Sequence, residues 1–528
     1  MTIKHIQIKN FRSIAQCDLD WVDFLALIGD NNAGKSNIIY ALQLFLNQNK
    51  PEGELDFLDT SLPIEITATF NNLTAQEKAQ ITDAHRAGDE FIVKKTYSLN
   101  EDTKTTSIKD GSETNVPPKG PQNILSDALP ELYILPALKE IPNEIKMTGT
   151  TNFGKLLTEV IENAVGGFED VDDLMAKLKG FFDSEDPDMP LNKVATEITD
   201  ILNKQFRSTK VKLAPKTLTR KDILKTLDVL VDDGYHSSIY QKGHGLQRAV
   251  IFSILCLWAN KLNSSRPSNG KEKKGIIVAI EEPEIYLHPQ QQKIVYQILK
   301  DLSQQSTEQI QIIYATHSSF FVHVEDYKNI VLVRKPDIST GTVTSQCTQE
   351  IFTPDSKDEF SLLCQFDPER NELFFARKIV LVEGDTEKMS LPILLDKAGI
   401  NPINNNISII ECGSKSAINF FFKVLNAFNT SEKLLDFVVM HDADIPWKDQ
   451  NDPDKTSKEQ QAQQENLVIS NLCSQNNIPL HVFTPDFERE LGLQVNDKNK
   501  PYKAKRAVAE STFIIPANLQ TFFTTNLS

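Results

Sequence analysis

No apolar run in the 528 residues reaches the roughly 18 to 20 that a membrane-spanning helix needs. The longest candidate, Ala249 to Ala259, is about half that length and reads as a buried helix. A charged leader followed by an apolar core is missing too. Met1-Thr2-Ile3-Lys4-His5 moves directly into strand-like alternation, so no secretory signal is expected. Cysteine is scarce, and the six present (Cys17, Cys256, Cys347, Cys364, Cys412, Cys473) show no C-x-x-C spacing. That argues against a zinc site, and against a disulfide framework in so long a chain. Most of the six are expected to be buried thiols. Gly (21) and Pro (25) stand near average usage, which excludes collagen-like and low-complexity classes. Positive charge is in deficit: 56 Lys and Arg against 72 Asp and Glu leave a net charge of −16. Such a chain is no general electrostatic clamp on nucleic acid. It leaves room for local basic patches, and its surplus carboxylates suit bound divalent cations. No fixed-period repeat occurs. A cytoplasmic, membrane-free protein of several domains is the expectation.

Period and punctuation organise what is present. Ile3, Ile6 and Ile8, then Cys17 and Leu19, then Phe24 to Ile28 read as strands, followed by a helix over Lys35 to Leu46. Ile64 to Phe70, Phe91 to Tyr97 and Leu132 to Leu135 are further strands, and the polar stretch Asn100 to Gln122 reads as a long surface loop. Helical periodicity then takes over. Leu156 to Val165, Val171 to Phe181 and Val194 to Leu202 mark three amphipathic helices of an inserted subdomain at about 145–210. Such stripes bury against each other or against another chain. Strand and helix resume: Gly245 to Lys261 (helix), Gly275 to Ile280 (strand), Gln290 to Leu302 (helix) and Ile310 to Ala315 (strand). The pattern weakens around Ser356 to Asn371. A fresh β-α-β-α-β series follows: Lys378 to Val382, Thr386 to Ala398, Ile407 to Ile410, Ser414 to Phe428 and Phe437 to Met440. The division is thus 1–355, a linker at 356–376, and 377–528, two parallel-sheet α/β modules.

Gly29-Asp30-Asn31-Asn32-Ala33-Gly34-Lys35-Ser36 matches G-x-x-x-x-G-K-[ST] at every fixed position, between an apolar strand and a helix. Gly29 and Gly34 let the backbone wrap a phosphate. The N–H groups around Asn31 and Asn32 and the helix N-terminus supply partial positive charge, and Lys35 adds a full one. Ser36 would ligate Mg²⁺ beside bound ATP. Ile276 to Ile280 runs into Glu281-Glu282-Pro283-Glu284, where one carboxylate would hold the metal through water and the next polarise the attacking water. His317, just past another apolar strand in Tyr314-Ala315-Thr316-His317-Ser318, is placed to sense the γ-phosphate. Gly243, Gly245 and Gln247 in Lys242-Gly243-His244-Gly245-Leu246-Gln247-Arg248 open a further helix whose N-terminus suits an anion.

The C-terminal module begins Lys378-Ile-Val-Leu-Val-Glu383-Gly384-Asp385-Thr386-Glu387. Glu383 ends an apolar strand, and Glu387 lies in the first helical turn. A second strand ends in Asp442-Ala443-Asp444, whose period of two puts both acids on one side. The carboxyl edge of an open parallel sheet is where ligands bind. If the two strands are neighbours, the carboxylates converge and repel unless divalent cations neutralise them. Hard oxygen donors select Mg²⁺ or Mn²⁺, two ions that would activate water for in-line displacement at phosphorus.

In order and type, these pieces resemble known families. The phosphate loop, the G-H-G-L-Q helix start, the E-E-P-E strand end and A-T-H-S resemble an ABC-type ATPase of the RecF/SMC kind. Ile8-Lys9-Asn10-Phe11-Arg12-Ser13 resembles that group as well. The resemblance implies two facing heads, in which Gly243 to Gln247 of one complete the ATP site of the other. Glu281 departs from it, standing where Asp is usual. Pro136-Ala137-Leu138-Lys139 falls about where a Q-loop would. The C-terminal half resembles a Toprim domain, shared by topoisomerases, bacterial primases and several nucleases. Together the halves resemble the OLD (overcoming lysogenisation defect) family of ATP-dependent endonucleases, which includes the nuclease subunit of the Gabija antiphage system. That resemblance implies homodimerisation through the helical insertion, double-stranded DNA as substrate, and a helicase or other defence partner. It also implies metal-site acids at Asp486 and Glu488, and Lys500 steadying the scissile phosphate. Gly413-Ser414-Lys415 is expected to approach the DNA backbone. The alternative is an ATP-gated DNA-binding scaffold without nuclease activity. A topoisomerase would need a positioned Tyr in an added domain, which the 10 tyrosines do not suggest.

Overall fold

A computed structural model describes residues 1–47, 50–116, 128–136, 186, 190–203, 210–211, 229–264, 274–305, 310–336, 340–356, 368–429, 434–494 and 499–528. Strict alternation builds the first sheet. Ile64–Asn71 and Glu90–Tyr97 bury every second residue, and Ile6 and Ile8 of Thr2–Phe11 point the same way. The order is Ile14–Asp20, Thr2–Phe11, Ile64–Asn71, Glu90–Tyr97, Lys104–Lys109, Ser112–Asn115, all antiparallel. The last two strands correct the expected loop over Asn100 to Gln122. Asp110 and Gly111, at φ 49 and 77, form the tight turn between them. Buried Thr105, Thr106 and Ser107 make a strand that its polarity disguises.

Continuous apolar runs build the second sheet, ordered Val343–Gln346, Ile330–Arg334, Phe24–Ile28, Ile310–Thr316, Ile276–Glu281, Glu131–Leu135. Its four central strands are buried throughout, as in a parallel sheet covered on both faces. Period two divides them between two cores. Leu25, Leu27, Ile277 and Ala279 face the first sheet and the helix Lys35–Leu46, whereas Phe24, Ala26, Val278 and Ile280 face the other side.

The second of those cores continues into a third sheet, all parallel: Ile407–Glu411, Lys378–Val382, Asp436–Asp442, Leu480–Phe483. Phe352 meets Phe420 edge-on at 5.7 Å, and Phe374 meets Phe428 at 5.4 Å. The described part of the expected linker is packed. Leu373 and Phe374 are fully buried, and Asn371 bonds the Ser319 carbonyl (3.0 Å) and the Val324 N–H (3.2 Å). The first two helices of the expected insertion and most of the expected Q-loop lie outside the described residues, and Pro190–Asn203 is helical as expected. Cys17, Cys347, Cys412 and Cys473 are buried thiols in no disulfide. Among the described residues no helix is long and apolar enough to cross a membrane.

Candidate active site and nucleotide site

Strand Phe24–Ile28 delivers the chain into the glycine loop, and Gly34, at φ 110, caps the helix Lys35–Leu46. Both flanking glycines are sterically required. A Cβ on Gly29 would stand 1.9 Å from the Val333 carbonyl oxygen, and one on Gly34 2.2 Å from Thr342 Oγ1. Asn31 and Asn32 are exposed at the tip, and Ser36 is half-buried in the first turn. Lys35 is buried, and its Nζ donates to the carbonyls of Gly29 (2.9 Å) and Asp30 (3.0 Å). His317 Nε2 lies 2.9 Å from the same ammonium. Burial, with Lys35 beside it, lowers His317 to about 4. The ring is therefore neutral and accepts from the lysine.

Glu282 follows strand Ile276–Glu281 with φ 46, and its Oε1 is 3.8 Å from His317 Nε2. Glu284, given no role of its own by the sequence, accepts the His317 backbone N–H at 2.7 Å, and burial raises its pKa. Arg248, which the glycine-rich motif gives no role of its own, is buried. Its Nη2 donates to the carbonyls of Glu281 (3.1 Å) and Glu282 (2.7 Å), bracing the acidic strand end from the helix His244–Ser264. Glu281 is buried at that strand end. Gly243 has open space around it, while a Cβ on Gly245 would come 3.0 Å from the Tyr286 carbonyl. Gln247, expected to reach a partner's nucleotide, is buried instead. It donates to the Ile239 (3.0 Å) and Lys242 (2.9 Å) carbonyls and so holds its own loop.

In the third sheet Lys378–Val382 and Asp436–Asp442 are adjacent and parallel, so both deliver acids to one edge. The Asp442 backbone N–H donates to the Glu383 carboxylate, and burial raises Glu383 to about 7. Burial also raises Glu387 and Asp442, the two repelling each other as Asp442 feels Glu387, Glu383 and Asp444 in turn. Asp442 Oδ1 accepts the Phe487 N–H at 2.8 Å, which docks the helix Phe487–Glu490 beside it. That helix carries buried Glu488, which reaches Lys500 Nζ at 2.9 Å and acts on Glu387.

Three residues are held differently from what the sequence pattern implies. Asp444 adopts φ 56, so alternation ends at Asp442, and its Oδ2 is bound by Lys415 Nζ at 2.7 Å. Lys415, expected to approach the DNA backbone, is itself buried and held on Asp444. Asp486 is the N-cap of Phe487–Glu490, accepting Arg489 N–H (2.8 Å) and Arg489 Nε (2.6 Å), and is thereby committed away from the cluster.

Among the described residues no three His, Cys, Asp or Glu side chains stand ready as a metal-ligand set. The donor chemistry nevertheless fits a hard cation. Glu383 Oε2 and Glu488 Oε1 are buried carboxylate oxygens with no hydrogen-bond partner, which favours a cation or a proton on them. Asp444 would have to leave its lysine to join, whereas Glu488 could offer the oxygen that Lys500 does not hold. A cleft of about 650 Å³ at the junction of the two halves shares no lining residue with either site.

These two sites define a P-loop nucleotide-binding module joined to an acidic-centred α/β module. Residues 1–322 match the AAA ATPase domain family, to which the chain belongs, and residues 374–444 match the overcoming lysogenization defect protein-like TOPRIM domain. The chain is 26% identical to the OLD nuclease of Thermus scotoductus, over 95% of this chain and 94% of that protein. It is 24% identical to endonuclease GajA of Bacillus cereus, over 81% of this chain and 73% of that one. Among solved structures, an Smc head bound to the C-terminal winged-helix domain of ScpA is similar at 15% identity and a TM-score of 0.40, over 66% of this chain and 98% of that chain. The expected pairing of an ATPase with an OLD-type TOPRIM domain is borne out.

Proposed function

We propose that this protein is an ATP-regulated, divalent-metal-dependent endonuclease of double-stranded DNA, acting in the cytoplasm in antiphage defence. The observation that carries the reading is the acidic edge of the third sheet, where burial raises Glu383, Glu387 and Asp442 and leaves carboxylate oxygens unpartnered. Mg²⁺ or Mn²⁺ bound there would activate water and stabilise charge developing at phosphorus. Glu383, Glu387, Asp442, Asp444 and Glu488 are the oxygen donors. Lys500, which meets Glu488 at 2.9 Å, would steady a phosphate. No protein nucleophile is needed. The likeness to endonuclease GajA supports nuclease activity, the defence role rests on the resemblance to the Gabija nuclease subunit, and a second copy of the chain as partner fits an ATPase of this family.

ATP control is supported by contacts joining the two sites. Arg334 is within 3.4 Å of Asp30 in the glycine loop, and its Nη2 donates to the Phe374 (2.6 Å) and Ala376 (3.1 Å) carbonyls just ahead of strand Lys378–Val382. Asn371 clips the segment after His317, while neighbouring Arg370 holds Glu411 at 3.1 Å. Gly413 N–H then donates to the Glu383 carbonyl at 2.9 Å. Such a packed chain of contacts is one that can carry a coupling between the sites.

The test is plasmid cleavage with Mg²⁺ or Mn²⁺, with and without ATP, by wild type and Glu383→Gln. Wild type should cut, and the variant should bind ATP normally without cutting. Equal cutting by both would remove the assignment. Binding without cutting by either, in both metals, favours the scaffold reading.

A further inference from the structure

We propose that Lys415 is the resident counter-ion of the acidic centre, holding Asp444 while no divalent cation is bound and passing to a phosphate oxygen of the nucleic acid once one is. The inference rests on the metal-dependent reading of this centre. A lysine in the first turn of a helix ordinarily faces water, because the helix dipole disfavours a cation there. Lys415 opens the helix Lys415–Ala427, yet it is 3% exposed. Its Nζ stands 2.7 Å from Asp444 Oδ2, across the sheet edge from the helix start. A buried ammonium at an unfavourable helix end needs a reason, and the surrounding acids supply it. After burial, Lys415 is the strongest influence on Glu383, pulling it back toward ionisation.

Two features mark this ammonium as a placeholder. First, Asp444 lies at the mouth, its side chain 30% exposed while that of Lys415 is 2% exposed, so the carboxylate has an open side and the lysine does not. Second, the arrangement is doubled. Lys500 holds Glu488 in the same way at 2.9 Å, so two candidate ligands at this edge each carry a lysine. One charge cannot satisfy Asp444 and a divalent cation at once without repulsion, so the lysine must yield. A released ammonium at that edge meets the next anion present, the phosphodiester backbone.

The test uses the full chain with Mn²⁺ as probe. Lys415→Met keeps the length and removes the charge; Lys415→Arg keeps the charge. Mn²⁺ affinity is measured by calorimetry without nucleotide or DNA, and single-turnover plasmid cleavage is measured at saturating Mn²⁺. Lys415→Met should bind Mn²⁺ on the order of tenfold more tightly, since its competitor is gone. It should cut roughly 100-fold more slowly at saturation, since the phosphate has lost its cation. Lys415→Arg should bind Mn²⁺ more weakly than Lys415→Met. A purely structural lysine would weaken both properties together. Tighter binding with slower cutting supports the proposal, as does a Lys415→Met chain that folds only when Mn²⁺ is added. Unchanged or weaker Mn²⁺ binding, unchanged cutting, or failure to fold even in saturating Mn²⁺ overturns it. Wild type binding no Mn²⁺ would instead overturn the metal-dependent reading beneath it.

Discussion

Removing the charge of Glu383 should stabilise the metal-free protein, and only above the ordinary carboxylate range. Burial lifts this group from 4.5 to about 7, against the pull of Lys415. Below pH 4.5 the carboxyl is protonated in folded and unfolded chains alike, and pH has no leverage through it. Between 4.5 and about 7 the unfolded chain releases the proton while the folded one retains it, so stability falls as pH rises. Above about 7 the full penalty is present. At 1.36 kcal/mol for each unit, that interval corresponds to about 3 kcal/mol. For a module of this size such a change moves the thermal midpoint by roughly 5–10 °C. The assay is thermal unfolding in EDTA from pH 4 to pH 8, wild type against Glu383→Gln. The midpoints should nearly coincide at pH 4 and separate in favour of the variant by pH 8. Saturating Mg²⁺ at pH 8 should then raise wild type more than Glu383→Gln. A gap that does not widen with pH would show that Glu383 ionises without cost, and the argument from burial to cation would fail.

Lys35→Ala should abolish the rise in thermal midpoint that ATP produces, because the loop loses its one full positive charge, while ATP-free cleavage persists. Asp486→Ala should cost about 1 kcal/mol as a lost N-cap and leave cleavage at saturating Mg²⁺ nearly unchanged. Glu488→Gln should do the reverse, which plasmid cleavage and denaturation midpoints together will distinguish. Arg334→Ala leaves the glycine loop and the acidic residues in place but cuts the tie between Asp30 and the Phe374 and Ala376 carbonyls. ATP should still bind, and its effect on the cleavage rate, whichever its sign, should shrink toward none. A full ATP effect in that variant would reject the proposed route.

What the sequence made legible depended on how local the deciding physics was. The glycine loop could be read because a strand, two sterically forced glycines and a helix start are neighbours in the chain. Glu383 and Asp442 could be read because an apolar run ending in acid fixes the strand tip on which each sits. The hairpin at 104–115 was hidden for the opposite reason: its inward residues are threonine and serine, so burial left no apolar trace, and only Asp110-Gly111 signalled the turn. The contacts of Arg248 and Lys415 were hidden because their partners, the Glu282 carbonyl and the Asp444 carboxylate, are 34 and 29 residues away, and a charged residue at a helix start looks solvated until the distant acceptor arrives. Asp486 is the more instructive case. Its role was local and legible, an aspartate three residues before an arginine at the start of a short helix, where the backbone N–H groups compete for its oxygens. Family resemblance alone assigned it to the metal. An acid already accepting two hydrogen bonds from Arg489 has little to offer a cation, whereas Glu488, two positions on and buried, keeps an oxygen unpartnered. Resemblance thus locates the acidic edge, and the competition for each oxygen decides which acids can serve there.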